Sequence, residues 1–249
     1  MTTGDNDCAP SILFQPALTH ILFDFFGTLV TYSESLVEQG YERSYEILTT
    51  AGASLDYSEF LERWSDTFEE FELRAQQSLD EYSMDAVCTE FLRRVLPQPA
   101  DAELVDRFRD TFLLEWNKGV EPIPGVTSLI ADLSQRFTLV LVTNTHHVGL
   151  VRDHLKAMGV EQYFAVVVTS VEHGKRKPSR SIFESAIEQS GGKRETSVYV
   201  GDSYSADYLG SVRAGLRGLL IDPEHRYDVP RTHRLANVLE TRALLTDQP

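Results

Sequence analysis

Cysteine is almost absent from this 249-residue chain, which carries only Cys8 and Cys88. Two thiols cannot build a disulfide framework, so the fold has to rest on a buried core, and a reducing, cytoplasmic setting is expected. Long apolar runs are absent too. No stretch approaches the ~20 residues a bilayer-spanning helix needs, and the N-terminus has neither the basic region nor the apolar run of a secretory signal, so no membrane role is expected. Basic charge is scarce: 23 Lys and Arg stand against 38 Asp and Glu, a net charge of −15. Such a surface repels nucleic-acid phosphates and anionic lipid headgroups alike, which removes both from the expected partners. Between Asp24 and Asn117 there is no lysine at all.

What is present is the make-up of a globular protein, 42% hydrophobic and 24% charged, long enough for one large domain or for a core with an inserted subdomain. The chain turns on Ile21-Leu22-Phe23-Asp24-Phe25-Phe26-Gly27-Thr28-Leu29-Val30. A short apolar run ending in a turn reads as a buried strand of a parallel sheet, and ligands bind beyond the carboxyl ends of such strands. By itself, Asp24 there reads equally as a nucleophile, a metal ligand or a turn cap.

Residues 1–18, polar and Pro-punctuated with one apolar patch at Ile12-Leu13-Phe14, read as a loose leader. From 33 to 118 the apolar residues fall at helical spacing, in sets around Leu36, Tyr41 and Leu48, around Phe60, Trp64 and Phe68, around Val87 and Phe91, and around Phe108 and Phe112. That block is expected to be an inserted helical bundle. Strands are expected at 137–142, 163–168, 197–200 and 219–221, alternating with helices at 127–133, 148–158, 180–189 and 206–214, and a last helix near 239–245. Alternation of this kind implies βαβ units, hence an α/β fold with a Rossmann-like parallel sheet flanked by helices and an inserted all-α cap. The α/β core would comprise 19–32 and 119–249.

Chemistry-bearing residues stand at the ends of those strands: Asp24; Thr143 and Asn144; Lys177 within Gly174-Lys175-Arg176-Lys177-Pro178; then Asp202 and Asp207. Each has an ordinary reading, Thr143 and Asp207 as helix caps and Lys177 as a solvated charge. Together they form a metal-assisted phosphoryl-transfer set. Paired carboxylates suit Mg²⁺, while Lys and Thr donate to phosphate oxygens as charge redistributes.

In this order the residues resemble the haloacid dehalogenase-like (HAD) superfamily, with its four motifs falling on Asp24 to Thr28, Thr143, Lys177-Pro178 and Gly201-Asp202 through Asp207. The resemblance spans nearly the whole chain, about residues 19–222. It implies a hydrolase in which Asp24 is the nucleophile of a covalent aspartyl intermediate. Mg²⁺ would be held by Asp24, the main-chain carbonyl of Phe26 and Asp202, with Asp207 in support. Thr143, Asn144 and Lys177 would grip the phosphate of a small phosphorylated metabolite, and Thr28 would shape the loop around it. No oligomeric state is implied.

Phosphatases of this superfamily usually have a second Asp two residues after the nucleophile, serving as general acid and base; here that residue is Phe26. Tyr32, Glu34, His146 and His147 are the candidate substitutes near the motif ends. The 2-haloacid dehalogenases share an aromatic residue before Gly-Thr and use no metal, but they lack the acidic fourth motif that Asp202 preserves here. Imine-forming phosphonate cleavage requires a cap lysine, which this chain does not have. Three readings follow: a Mg²⁺-dependent phosphatase, a metal-free dehalogenase, or a phosphate-ligand-binding relative without turnover. The acidic, lysine-free insertion points to a substrate whose non-phosphate end is neutral or cationic.

Overall fold

The computed structural model describes residues 17–33 and 39–245. The leader patch Ile12-Leu13-Phe14, together with Cys8, Glu34 and Leu36, lies outside the described residues. Leu18, at the end of the expected leader, is buried in the main core.

Six strands form one sheet: β1 (His20–Phe23), β4 (Thr138–Thr143), β5 (Phe164–Thr169), β6 (Ser197–Gly201), β7 (Arg217–Ile221) and β8 (Arg234–Leu235). Their order is β5-β4-β1-β6-β7-β8, and every pairing is parallel. Side chains alternate across a strand, and here both faces are covered. Ile21, Phe23, Leu139, Leu141, Val198 and Val200 face one apolar layer with α5 (Val126–Ser134) and α6 (Leu150–Ala157). Leu22, Val140, Val142 and Tyr199 face the other layer, with α8 (Arg180–Ser190). Double coverage explains why these strands read as continuous apolar runs.

β4 and β5 begin and end one residue later than the spacing predicts, because Thr143 and Thr169 pair across the two strands and extend the ladder. β7 starts at Arg217, earlier than its apolar residues indicate, since backbone pairing with Val198 does not depend on side-chain polarity. The helix expected over 206–214 is a π-helical turn, Tyr204–Leu209, running into the short α9 (Gly210–Arg213). Such turns occur often at functional sites. The last expected helix is a 3₁₀ segment, Val238–Leu245.

The insertion leaves the core after β2 (Val30–Thr31) and returns at β3 (Glu121–Pro122), and these two strands pair antiparallel as a ribbon across its base. Between them lie α1 (Glu42–Thr50), α2 (Tyr57–Ser78), α3 (Met84–Val95) and α4 (Ala102–Trp116). The last three start at side-chain caps. Asp56 and Glu59 form a reciprocal capping box at 2.9 Å each way, Ser83 accepts from Ala86 N at 3.2 Å, and Asp101 accepts from Leu104 N at 2.8 Å. A separate apolar cluster holds them together, centred on Phe91, whose ring lies 5.2 Å from Trp64 and 5.5 Å from Phe108. Phe91→Ala is expected to lower the unfolding free energy by about 3–5 kcal/mol, read by urea denaturation of the full chain. A loss under about 1 kcal/mol would contradict a close-packed insertion core.

Candidate active site

Three parallel strands deliver the site. Phe23 is level with Leu141 on one side and Val200 on the other, so Asp24, Thr143 and Asp202 emerge along the same rim. The Asp24 amide still donates to Val200 O at 2.9 Å, fixing the first residue beyond the ladder. The chain then reverses: Leu29 N donates to Phe25 O at 2.8 Å and Gly27 N to Val30 O at 2.8 Å. Gly27 takes φ +82° with the Asp202 carboxylate against its Cα, where any side chain would collide. Gly201 has the Asp207 carboxylate in the same relation.

Lys177 reaches the rim from the loop between α7 (Ser170–His173) and α8. Its ammonium is buried and donates to Asp24 Oδ1 at 2.7 Å, Asp207 Oδ1 at 2.6 Å and the Tyr199 hydroxyl at 2.8 Å. All three of its protons are therefore engaged. The Tyr199 hydroxyl lies 2.8 Å from Val142 O and 3.0 Å from Asp207 Oδ1, so its single proton goes to one of them. Asp207 Oδ2 accepts from Ser203 N at 2.9 Å, and Thr28 Oγ1 donates to Asp202 Oδ1 at 3.3 Å.

Asp24, Asp202 and Asp207 each bring an oxygen within 4.8 Å of the others. Three acids around one ammonium leave excess negative charge in a buried place. Burial pushes the Asp24 carboxyl above its ordinary range; the Lys177 ammonium pulls it down and Asp202 pushes it up. Asp202 is also raised, by burial and then by Asp207, and Asp207 by burial and Asp24 against the pull of Lys177. Lys177 is raised although burial opposes its charge, because Asp207 and Asp24 outweigh that penalty. An all-oxygen set with surplus negative charge is the donor chemistry that a hard divalent cation such as Mg²⁺ fits.

Thus Asp24, Thr28, Lys177, Asp202 and Asp207 lie in one connected cluster, and Thr143 is buried beside it at the end of β4. Asn144, expected to touch substrate, has both ends of its amide on the Lys177 main chain: Lys177 N donates to Oδ1 at 2.8 Å and Nδ2 donates to Lys177 O at 3.2 Å. The Phe26 ring lies in aromatic company, 5.0 Å from Phe25, 5.5 Å from Trp116 and 5.9 Å from Tyr32.

The insertion grips both loops of the rim. Glu81 N donates to Gly174 O at 3.1 Å, Arg176 N to Leu79 O at 3.0 Å and Met84 N to His146 O at 2.7 Å. Lys175 pairs with Asp80 at 2.6 Å and Arg176 with Glu72 at 2.7 Å. His146 stacks on Tyr82 at 4.2 Å with Nδ1 3.1 Å from the buried Glu81. Between insertion and core lies a cleft of about 550 Å³ that meets the rim at Phe26, Asn144 and Thr145 and is walled by Trp116, Phe68 and Arg176. Of the candidate acids, Tyr32, His146 and His147 line this cleft; Glu34 is outside the described residues. Sequence reasoning missed Tyr199, whose polar tip in an otherwise aliphatic strand was the available signal, and the Leu79–Ser83 grip, which carried none.

Residues 18–215 match the family model of the haloacid dehalogenase-like hydrolases. The chain is 36% identical over 106 residues to a glyceraldehyde 3-phosphate phosphatase of Methanothermobacter thermautotrophicus, covering 42% of this chain and 46% of that one. It is 30% identical over 223 residues to a glyceraldehyde 3-phosphate phosphatase of Methanopyrus kandleri, covering 84% and 88%. The match to the first of these relatives spans about half of its length. Among solved structures, a 2-haloacid dehalogenase from Pseudomonas syringae superposes with TM-score 0.69 at 21% identity over 92% of this chain and 98% of that one. A HAD phosphatase from Thermococcus onnurineus gives 0.67 at 25% identity over 93% and 99%.

If the carboxylate cluster takes a divalent cation, millimolar Mg²⁺ is expected to raise Tm by mass action on the native state, and Asp202→Asn is expected to abolish that shift. Equal Mg²⁺ shifts in both proteins, in a thermal-unfolding scan, would place cation binding elsewhere.

Proposed function

The chain belongs to the haloacid dehalogenase-like hydrolase family, and from that premise we propose that it is a Mg²⁺-dependent phosphatase acting on a small phosphorylated metabolite through Asp24. One observation carries this reading: the Lys177 ammonium bridges Asp24 and Asp207 with Asp202 close enough for the carboxylates to share a cation. A metal-free dehalogenase would have no use for that surplus of negative charge, which costs folding free energy unless it is neutralised. The names of the relatives, glyceraldehyde 3-phosphate phosphatases, support the substrate class.

In the proposed reaction an Asp24 oxygen attacks phosphorus. Its lone pair forms the new O–P bond while the bond to the leaving oxygen breaks and that electron pair departs with the oxygen. Mg²⁺ held by Asp24, Asp202 and the Phe26 carbonyl would neutralise charge on the phosphoryl oxygens. As Asp24 is esterified it loses its charge, so the Lys177 N–H that donated to Asp24 Oδ1 is free to donate its hydrogen bond to a phosphoryl oxygen, the ammonium keeping its proton. Thr143 would add a donor beside it. Water then attacks phosphorus, the O–P bond to Asp24 breaks, and inorganic phosphate, the Asp24 carboxylate and a proton result. Asn144 keeps Lys177 in place through the main chain, and Thr28 does the same for Asp202 through its hydroxyl. Tyr199 and Asp207 orient the ammonium.

Phe26 has no proton to give, so alkoxide departure is slow, by about 10²- to 10⁴-fold if a general acid is worth its usual amount. The helical insertion, taken as residues 33–118, acts as the cap. Glu69 in the cleft, where Glu72 is already paired with Arg176, favours a leaving group that is neutral or cationic. We place the protein in the cytoplasm on its cysteine usage; no helix among the described residues is long and apolar enough to cross a membrane.

The test sets p-nitrophenyl phosphate hydrolysis with and without Mg²⁺ against halide release from 2-chloropropionate. Phosphate release that chelation and Asp24→Asn both abolish is expected. Metal-independent halide release would establish the dehalogenase reading, and silence in both assays would leave a ligand-binding protein. Phe26→Asp is expected to raise turnover of an alkyl phosphate by about 10-fold or more; a folded variant with no gain would contradict the proposed geometry.

A further inference from the structure

The cleft that meets the rim at Phe26 is aromatic on the side of Trp116 and Tyr32. Tyr32 stands where the chain enters the insertion and Trp116 where it leaves, and their rings lie 6.3 Å apart. Phe26, two residues from the nucleophile, packs edge-on against both, at 5.9 Å and 5.5 Å. Phe68 extends the same wall, and the cleft is open enough, at about 550 Å³, for a small-molecule tail. Edge-on and offset ring contacts add attraction beyond burial alone, so this wall discriminates a flat ring from a saturated one of equal size.

The second observation is chemical. Where the cleft meets the rim it offers Phe26, Asn144 and Thr145, none of which can protonate a departing alkoxide. Of the proton-bearing side chains that line the cleft elsewhere, His146 is stacked on Tyr82 and bonded to Glu81, and a proton supplied by Tyr32 or His147 would bring the phenyl and benzyl rates compared below together. A phenol loses its proton near pH 10, whereas water, like a simple alcohol, holds it to roughly pH 16. An aryl oxide can therefore leave as the anion where an alkoxide cannot.

Resting on the phosphatase reading, we propose that the substrate is an aryl phosphate: a phosphomonoester of a small phenol, with its ring against Trp116 and Phe26 and its bridging oxygen departing unprotonated. Asp24 forms the bond to phosphorus, the P–O(aryl) bond breaks, and the electron pair leaves on the phenolic oxygen, which takes its proton from solvent after release. Neither step needs a further reactant besides water.

The experiment compares kcat/KM of the full chain with Mg²⁺ for acetyl, phenyl, benzyl and cyclohexylmethyl phosphates. Benzyl phosphate keeps the ring and returns an alkoxide; cyclohexylmethyl phosphate keeps the bulk and loses the ring. Phenyl phosphate is expected to exceed benzyl phosphate by about 100-fold or more, and benzyl to exceed cyclohexylmethyl several-fold. Trp116→Ala is expected to bring the benzyl-to-cyclohexylmethyl ratio toward one, and Phe68→Ala serves the same comparison if that variant does not fold. Turnover of acetyl phosphate with equal rates on phenyl and benzyl phosphates, or with cyclohexylmethyl at least equal to benzyl, would overturn the aryl assignment alone. No Mg²⁺-dependent turnover of any of the four would overturn the phosphatase reading and this one with it.

Discussion

A fully buried ammonium is the constraint that the rest of the site answers to. Lys177 loses its water on folding, and a charge in that position is tolerable only if paired and hydrogen-bonded throughout. Asp24, Asp207 and Tyr199 meet that demand at 2.6–2.8 Å. Meeting it brings carboxylates together in a buried place, and burial, reinforced by their mutual repulsion, lifts the protonation range of all three acids. The cluster is thus balanced for one ammonium plus a further cation, and underneutralised without the second. A buried ion cluster is weak evidence for stability in itself. Its consistent effect is geometric, since each partner limits where the others can sit.

Much of this was readable from the chain because parallel sheets convert one-dimensional periodicity into position. Once β1, β4 and β6 are recognised as buried strands, the residues just past them must share a rim, and Asp24, Thr143 and Asp202 do. The helices of the insertion were legible through their apolar and aromatic spacing. Other features were hidden because they depend on partners distant in sequence. Nothing near Tyr199 announces a lysine 22 residues earlier, and nothing near Glu81 announces His146, 65 residues later. β8 has two residues and no periodicity to detect. The π-helical turn at Tyr204–Leu209 is invisible to a 3.6-residue pattern, yet it carries the Asp207 carboxylate, caps itself on Ser203 and seats that carboxylate on the Ser203 amide. Asn144 was legible as a rim residue, but its engagement with the lysine backbone needed the structure.

The insertion is more than a cover because its contacts fall on the two loops that build the rim. The Leu79–Ser83 segment bonds to Gly174 and Arg176, immediately before Lys177, while Met84 bonds to His146, immediately after Thr145. Any displacement of the insertion that breaks these bonds also relaxes the loop presenting the ammonium and the loop presenting Asn144. The ion pairs Lys175–Asp80 and Arg176–Glu72 lie on the same seam. The insertion that walls the cleft and the loop that presents the lysine are therefore joined through one seam of hydrogen bonds and ion pairs.

Phe26 acquires its meaning from that connection. A carboxyl at position 26 would sit between the rim and the cleft, adding negative charge to a cluster already in excess and requiring water or a donor beside it. A phenyl ring instead joins Phe25, Tyr32 and Trp116 in edge-on aromatic contact, which makes the wall that meets the rim less polar than a carboxyl would. Site polarity and leaving-group chemistry are consequently not independent: in the proposed mechanism, the more apolar the wall, the more the reaction relies on an oxygen that departs readily as an anion.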